Sequence, residues 1–297
     1  MKRILITGAS GLLGSHTLHA LHRTHNITAM VRQLPAHPLE NVRYIAADFI
    51  EGFDSAELPV NIDAIFHLAQ SPHMREYPEK AREIRAVNAE STAHLLTYAK
   101  KAGAERFIFA STGGLYRPSP TAFTESSPLH IAEGALSYYF ATKHESEQML
   151  AAYAGDFATI ILRPFFMYGE GQAPNMLIPR LIHNVRSGIP LTLQGVHGML
   201  FNPLHVSDAV LALAATLSLS THHIFNFAGS DIITMRQAGE IIGEAFGITP
   251  RFTFGDDVYS SMVASNALMC EHLSCPALSF KDGIMRMLHT AREAAHV

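Results

Sequence analysis

Two rhythms of apolar and polar positions alternate through the first two-thirds of the chain. Short apolar runs over 3–7, 27–31, 42–46, 64–68, 107–110 and 159–162 have the length of buried strands. Between them lie stretches of helical period, over 14–25, 83–101 and 138–154, with Leu18 and Leu21 on one side of the first. Strands alternating with helices predict βαβ units. The expected class is therefore α/β, a Rossmann-type doubly wound parallel sheet covered on both faces.

The pattern changes after Phe166. Gly, Pro and Asn become frequent in Tyr168-Gly169-Glu170-Gly171-Gln172-Ala173-Pro174-Asn175, and a short helix over 177–187 and scattered strands follow. The expected organisation is a dinucleotide-binding domain over 1–165, rejoined by 202–228. A smaller C-terminal substrate lobe is formed mainly by 166–297.

Composition narrows the class of partner. The 297 residues are 48% hydrophobic and 16% charged, which suits a packed core. A net charge of −4 supplies no basic excess for nucleic acid or an anionic membrane. No apolar run reaches the roughly 18 residues of a membrane span. The apolar run at the start breaks at Thr7 and Gly8, too early for a secretory signal, so a cytoplasmic protein is expected. Two cysteines, Cys270 and Cys275, are too few for a disulfide framework in a chain of this size. With His272 they make a poor zinc site, and no metal is expected. His16, His19, His22 and His25 recur every third residue and drift around their helix, as a solvated face does.

Candidate chemistry begins at the first strand. Thr7-Gly8-Ala9-Ser10-Gly11-Leu12-Leu13-Gly14 follows it and opens the first helix. Glycines at 8, 11 and 14 allow a tight turn, close approach to a pyrophosphate, and close helix–sheet packing. The helix start offers N–H groups and a positive dipole end. Gly8, Ser10, Gly11, Leu12, Leu13 and Gly14 are thus candidate cofactor contacts. The second strand ends Ala29-Met30-Val31-Arg32. The carboxylate that takes the ribose hydroxyls of NAD is missing there, and Arg32 stands just beyond. NADP is accordingly expected over NAD, with a solvated Arg32 as the other reading. Asp48, beside Phe49, could receive the adenine amino group or cap a turn; both residues are candidates.

Tyr139-Phe140-Ala141-Thr142-Lys143 sets a phenol and an ammonium four residues apart, on one face of a helix. A phenol of pKa near ~10 is a poor base at neutral pH. A nearby cation stabilises phenolate and lowers that value. Tyr139 could then take a proton from a carbinol and return it, with Lys143 also on the nicotinamide ribose. Ser111-Thr112 follows the fifth strand, where an open parallel sheet places its ligands, and a hydroxyl there can orient the substrate oxygen.

These motifs, in this order, resemble the extended short-chain dehydrogenase/reductase family, the NAD(P)-dependent epimerase/dehydratase group. Phe66-His67-Leu68-Ala69-Gln70 is similar to the family's His-Leu-Ala-Ala segment beside the cofactor, with Gln70 departing from the second Ala. Asn88 lies in a segment similar to the family's Asn-x-x-Gly-Thr. Ala110-Ser111-Thr112 with Tyr116 resembles the Ser-Ser/Thr…Tyr segment. Leu162-Arg163-Pro164-Phe165-Phe166-Met167-Tyr168-Gly169 resembles Leu-Arg-Pro-x-Asn-x-Tyr-Gly. The resemblance implies Thr112, Tyr139 and Lys143 as catalytic triad. It adds Leu68, Ala69, Gln70, Asn88, Ala110, Ser111, Pro164 and Phe166 to the cofactor contacts. It also implies a homodimer paired through the helices over 83–101 and 138–154.

The departures bear on substrate. Gly113-Gly114 stand where family dehydratases carry Asp-Glu. Phe201 stands where epimerases carry a diphosphate-clamping Arg, and Phe166 where the nucleotide-sugar Asn lies. Loss of such charge-assisted contacts weakens diphosphate binding. Asn175 and Arg180 could compensate in part. Phe165, Phe166, Met167, Met199 and Phe201 are candidate pocket lining, or core. Thr112, Phe166, Asn175 and Phe201 are the candidate substrate contacts. Three functions compete: a sugar or sugar-nucleotide epimerase, an NADP-dependent keto-reductase, and a non-catalytic NADP-sensing protein. The partner in each is a small carbonyl or sugar compound or the cofactor itself.

Overall fold

The computed structural model describes residues 1–131, 133–256 and 261–295, the last five without their side chains. The chain divides into two compact units.

The first unit comprises Met1–Arg117, Pro128–Arg163 and Leu213–Phe225. Its strands are β1 (Arg3–Thr7), β2 (Asn26–Val31), β3 (Val42–Ala46), β4 (Ala64–His67), β5 (Arg106–Ala110) and β6 (Ala158–Pro164). They lie in the order β3-β2-β1-β4-β5-β6, with His223–Phe227 as a seventh strand beside β6. Ile4, Leu5 and Ile6 are all fully buried, as are Ala64, Ile65 and Phe66. Such strands read as continuous apolar runs because helices cover both faces. The order reverses between β1 and β4, and that switch point is where open sheets of this kind bind ligands. Register aligns the strand ends: Thr7 pairs with Met30 and His67, and His67 with Phe109.

Helix α1 (Leu12–Leu21) stops four residues short of the expected end, where Thr24 and His25 close a turn on the Leu21 carbonyl. The helix expected over 83–101 is broken into three pieces. They are α2 (Ala81–Arg85), a π-helical turn at Ala86–Glu90, and α3 (Ser91–Lys101). Helix α4 (Ser137–Ala152) carries Tyr139 and Lys143 on its buried face with Thr142, Ser146, Glu147 and Leu150.

The second unit comprises Pro118–Ser127, Pro164–Ala212 and Asn226–Val297. It takes in Pro118–Ser127, which the sequence reading gives to the first domain. Phe123 there bonds to Val263 and Ser265, and the Glu125 carboxylate receives the Asn226 N–H. In chain order its elements are α5 (Leu177–Arg186), β7 (Leu191–Gln194), β8 (Leu200–Phe201) and α6 (Val206–Ala215), whose last three residues belong to the first unit, as does most of the seventh strand, β9 (His223–Phe227). Then come β10 (Ile233–Thr234), α7 (Met235–Phe246), β11 (Phe252–Gly255), β12 (Ser261–Met262), α8 (Ala267–His272) and α9 (Phe280–Ala295). Two small sheets form, β10-β8-β12 and β11-β7. Tyr168, Phe201, Phe280 and Ile284 are fully buried in this unit's own core.

No described helix is long and apolar enough to cross a membrane. Cys270 and Cys275 are joined by a disulfide, their Cα atoms 4.0 Å apart, a pairing the sequence reading did not consider. A separation of five residues around the end of α8 lets a single local bridge form without any wider framework.

Candidate functional site

The turn after β1 is compact because its glycines leave no room for side chains. A Cβ on Gly14 would lie 2.1 Å from the Gly8 carbonyl oxygen. One on Gly8, at φ +66°, would lie 2.7 Å from the Ala69 nitrogen. Helix α1 begins with Gly11 as N-cap, with no side-chain cap and no acid in its first turn. Its N–H groups and positive end therefore meet no capping or acidic side chain in that turn, the donor set a pyrophosphate requires. A dinucleotide cofactor fits this cradle. Gly8, Ser10, Gly11, Leu12, Leu13 and Gly14 all lie on it.

The loop after β4 crosses beside this turn. The Leu68 and Ala69 N–H groups donate to the Thr7 carbonyl and hydroxyl, each at 3.3 Å. Below them His67 is fully buried between Thr7, at 2.7 Å from Nδ1, and Thr92, at 2.9 Å from Nε2. Thr92 gives its own hydrogen to the Asn88 carbonyl, so it accepts from His67. Burial, with the Lys143 charge adding to it, pushes the imidazole down to about 3 and keeps it neutral.

Asn88 sits on the π-helical turn, a form that recurs at functional sites. Its Oδ1 accepts from the Ser71 N–H at 2.9 Å and its Nδ2 donates to Thr142 at 3.0 Å. Thr142 in turn donates to the Tyr139 carbonyl. Asn88 thus ties the β4 loop to the helix bearing the catalytic candidates.

Tyr139 is 6% exposed. Its hydroxyl donates to Gln70 Oε1 at 3.2 Å. Burial pushes its pKa up to about 12, and a hydrogen bond from Thr112 pulls the other way. Thr112 also N-caps the short turn Gly113–Leu115, accepting from the Gly114 N–H at 3.1 Å. Lys143 is fully buried, donates to the Ala110 carbonyl at 2.7 Å and lies 4.8 Å over the Phe109 ring. Burial pulls its pKa down to about 7 against the opposing charge of Glu147. The Lys143 ammonium is thus given to the Ala110 carbonyl rather than to the phenol.

Behind Lys143 stands an ion pair that the sequence reading missed. Arg163 is bidentate on Glu147, at 3.0 Å and 2.6 Å, and its third nitrogen donates to the Tyr116 hydroxyl at 2.8 Å. The Ser111 hydroxyl donates to the same carboxylate at 2.5 Å. Glu147 and Arg163 are 4% and 3% exposed. The pair raises the Arg163 pKa well above its usual value despite burial. The available signal was spacing: Glu147 falls four residues after Lys143 and eight after Tyr139, on one helix face.

Two candidates of the first unit have other contacts. Asp48 is exposed and caps a turn by accepting from the Ile50 N–H at 2.9 Å, and Phe49 packs on Phe53 and His67. Pro164, Phe166, Asn175 and Phe201 belong to the second unit. Phe166 is half-buried at φ +42° and meets Phe201 edge-on at 5.1 Å. Phe201 itself has no exposed surface, and Asn175 is exposed.

Comparison with known proteins places this geometry. The profile described as "Epimerase: NAD dependent epimerase/dehydratase family" matches residues 4–228. "Uncharacterized UDP-glucose epimerase YtcB" of Bacillus subtilis (strain 168) is 28% identical, with 95% of each chain covered. The structure of MoeE5 in complex with UDP-glucuronic acid and NAD superposes at TM-score 0.86, 26% identical, over 98% of this chain and 99% of that one. A UDP-glucuronic acid 4-epimerase from Bacillus cereus, in complex with UDP-glucuronic acid and NAD, shares the fold at TM-score 0.85 and 23% identity, over 98% and 99%.

These structures carry NAD, which overturns the expectation of NADP. The physical reason lies in Arg32, which is exposed one residue past the end of β2. A guanidinium so solvated and screened is a weak selector for a phosphate. The sensing reading, tied to NADP and to absent catalysis, falls with it. By the span of the family match and the catalytic groups it retains, the chain is an NAD-dependent oxidoreductase belonging to the NAD dependent epimerase/dehydratase family.

Proposed function

We propose that the chain epimerises a nucleotide-linked sugar by oxidising a ring carbinol and reducing the ketone from its other face. The observation that carries this reading is the Tyr139 phenol, buried at the carboxyl edge of the sheet between Thr112 and Gln70. Bound NAD would take up the hydride and return it. Tyr139 removes the carbinol proton and gives it back. Thr112 holds the substrate oxygen, and Lys143 turns from the Ala110 carbonyl to the nicotinamide ribose. Gly8, Ser10, Gly11, Leu12, Leu13 and Gly14 hold the pyrophosphate. Leu68, Ala69, Asn88, Ala110, Ser111 and Pro164 shape the remainder of the cofactor site. Phe166 and Asn175 meet the sugar nucleotide. The relatives' substrates support a uridine diphosphate sugar, and Gly113-Gly114 supply no carboxylates for loss of water. The protein pairs with itself through α2–α3 and α4.

A second reading is favoured by Phe166 and Phe201. They stand where the family motif has Asn and a clamping Arg, and would suit a less polar ketone reduced with release of oxidised cofactor. Incubation of the purified enzyme with UDP-glucuronic acid and with UDP-glucose, followed by chromatography of the sugars, decides between them. Formation of the 4-epimer without net change in NADH supports epimerisation. Failure to epimerise either sugar, with stoichiometric NADH consumption on a simple ketone, transfers the function to the second reading.

A further inference from the structure

Gln70 stands where the family segment carries a small residue, and it touches the reacting atom of Tyr139. Gln70 is exposed, but the backbone on either side of it is held. On one side of Gln70 the Ala69 N–H is held by Thr7, and on the other the Ser71 N–H is held by Asn88. Asn88 is bonded to Thr142, which is bonded to the Tyr139 carbonyl. The backbone that carries the amide is therefore fixed to the backbone that carries the phenol.

Counting hydrogens sets the direction of each bond. Thr112 accepts from the Gly114 N–H, so its own hydrogen is free to donate to the phenol oxygen. The phenol's single hydrogen is left for Gln70 Oε1. A carbonyl oxygen can hold a phenol but not a phenolate, because two lone pairs would then face each other. When Tyr139 ionises, the Gln70 amide must turn over to present its Nε2 hydrogens.

We propose that Gln70 is a positioning residue that holds the proton on Tyr139 in the resting enzyme and turns its amide over whenever the phenol acts as base. This rests on Tyr139 being the acid–base group. An epimerase must ionise and reprotonate that group in each cycle, so the amide turns twice per turnover. The other charged and titratable groups facing the phenol's surroundings are Lys143 on its own helix, Glu147 and Arg163 behind Lys143, and neutral His67 from β4. None of them changes when Gln70 is replaced.

The test is ultraviolet titration of phenolate in the NAD-loaded enzyme, each variant read against its Tyr139→Phe counterpart so that only Tyr139 is seen. Gln70→Met keeps the length and removes both hydrogen-bonding ends. It should raise the Tyr139 titration by about half to one pH unit, the margin of the charge-assisted bond lost to the phenolate over the neutral bond lost to the phenol. Gln70→Glu keeps an acceptor and cannot offer an N–H, and should raise it by at least as much. The alkaline limb of the rate profile should move upward in both variants, and further in Gln70→Glu. If both variants titrate like the parent, the inference is overturned, even with Tyr139 essential. If the titrations move but Tyr139→Phe still turns over, the acid–base assignment fails and the contact stands.

Discussion

The ring of Phe140 fills the space that any side chain at Gly114 would need. A Cβ built on Gly114 would lie 2.3 Å from Cε1 and 2.5 Å from Cζ of that ring. The Gly113-Gly114 pair is thus coupled to α4, and a dehydratase-like carboxylate at 114 requires the Phe140 ring to move. Gly114→Glu should lose about 1–3 kcal/mol by overpacking. The same change with Phe140→Ala should lose less than the sum of the two single changes. Urea unfolding of the four proteins checks this, and strict additivity would remove the coupling.

Tyr139→Phe should lower turnover by ~10²-fold or more while NAD binding persists, since the phenyl ring keeps the packing and loses only the proton. Steady-state rates with calorimetric NAD titration measure both. A variant that turns over normally ends the proposed mechanism.

Lys143 carries a stability cost that depends on pH. In the fold it titrates at about 7, against an ordinary 10.5. Below 7 both folded and unfolded chains hold the proton, and the fold bears a buried charge. Between 7 and 10.5 the unfolded chain holds a proton that the fold has shed, so stability climbs with pH. In the cofactor-free protein Lys143→Met should therefore raise Tm most at about pH 6, with the gain shrinking towards about pH 9. Thermal scans across that range report it; a gain that grows with pH contradicts the assignment.

Glu147 and Arg163 should behave as a pair. Removing one partner leaves an unpaired buried charge and costs about 3–5 kcal/mol. Glu147→Leu alone should be that costly, whereas Glu147→Leu with Arg163→Met should recover a substantial part. If the double variant is no better than the single one, Arg163 depends more on Tyr116 than on the carboxylate.

Phe166 holds a left-handed backbone that asparagine tolerates and most residues do not. Phe166→Ala and Phe166→Asn both forfeit the ring contact with Phe201. Asn should nevertheless be the less damaging, by about 0.5–1 kcal/mol, because it relieves the strain that Ala keeps. Equal unfolding midpoints would show that the turn adapts to either residue.

Strand positions and the glycine turn were legible because each rests on local pattern: Ile4–Ile6 as a continuous apolar run, and Gly8, Gly11 and Gly14 at the start of α1. Tyr139 and Lys143 were legible from helical spacing. Less legible was what long-range packing decides. The Gln70–Tyr139 bond joins residues 69 apart, and Glu147–Arg163 depends on β6 passing behind α4. Arg32 misled because sequence shows that a charge is present but not whether solvent surrounds it. Disulfide pairing of Cys270 and Cys275 escaped a count that weighed frameworks rather than one local loop.

The π-helical turn at Ala86–Glu90 has a structural consequence for how this region can change. It lodges one surplus residue in an otherwise regular spiral, so α2 and α3 are out of phase by about a hundred degrees of rotation. Asn88 sits on that seam, reaching Ser71 in one direction and Thr142 in the other. Deleting a single residue there would restore an ordinary helix and swing one half around its axis. The two grips of Asn88 would then part, and loop and helix would lose their common anchor. The segment therefore tolerates substitution along its outer face far better than any change in length.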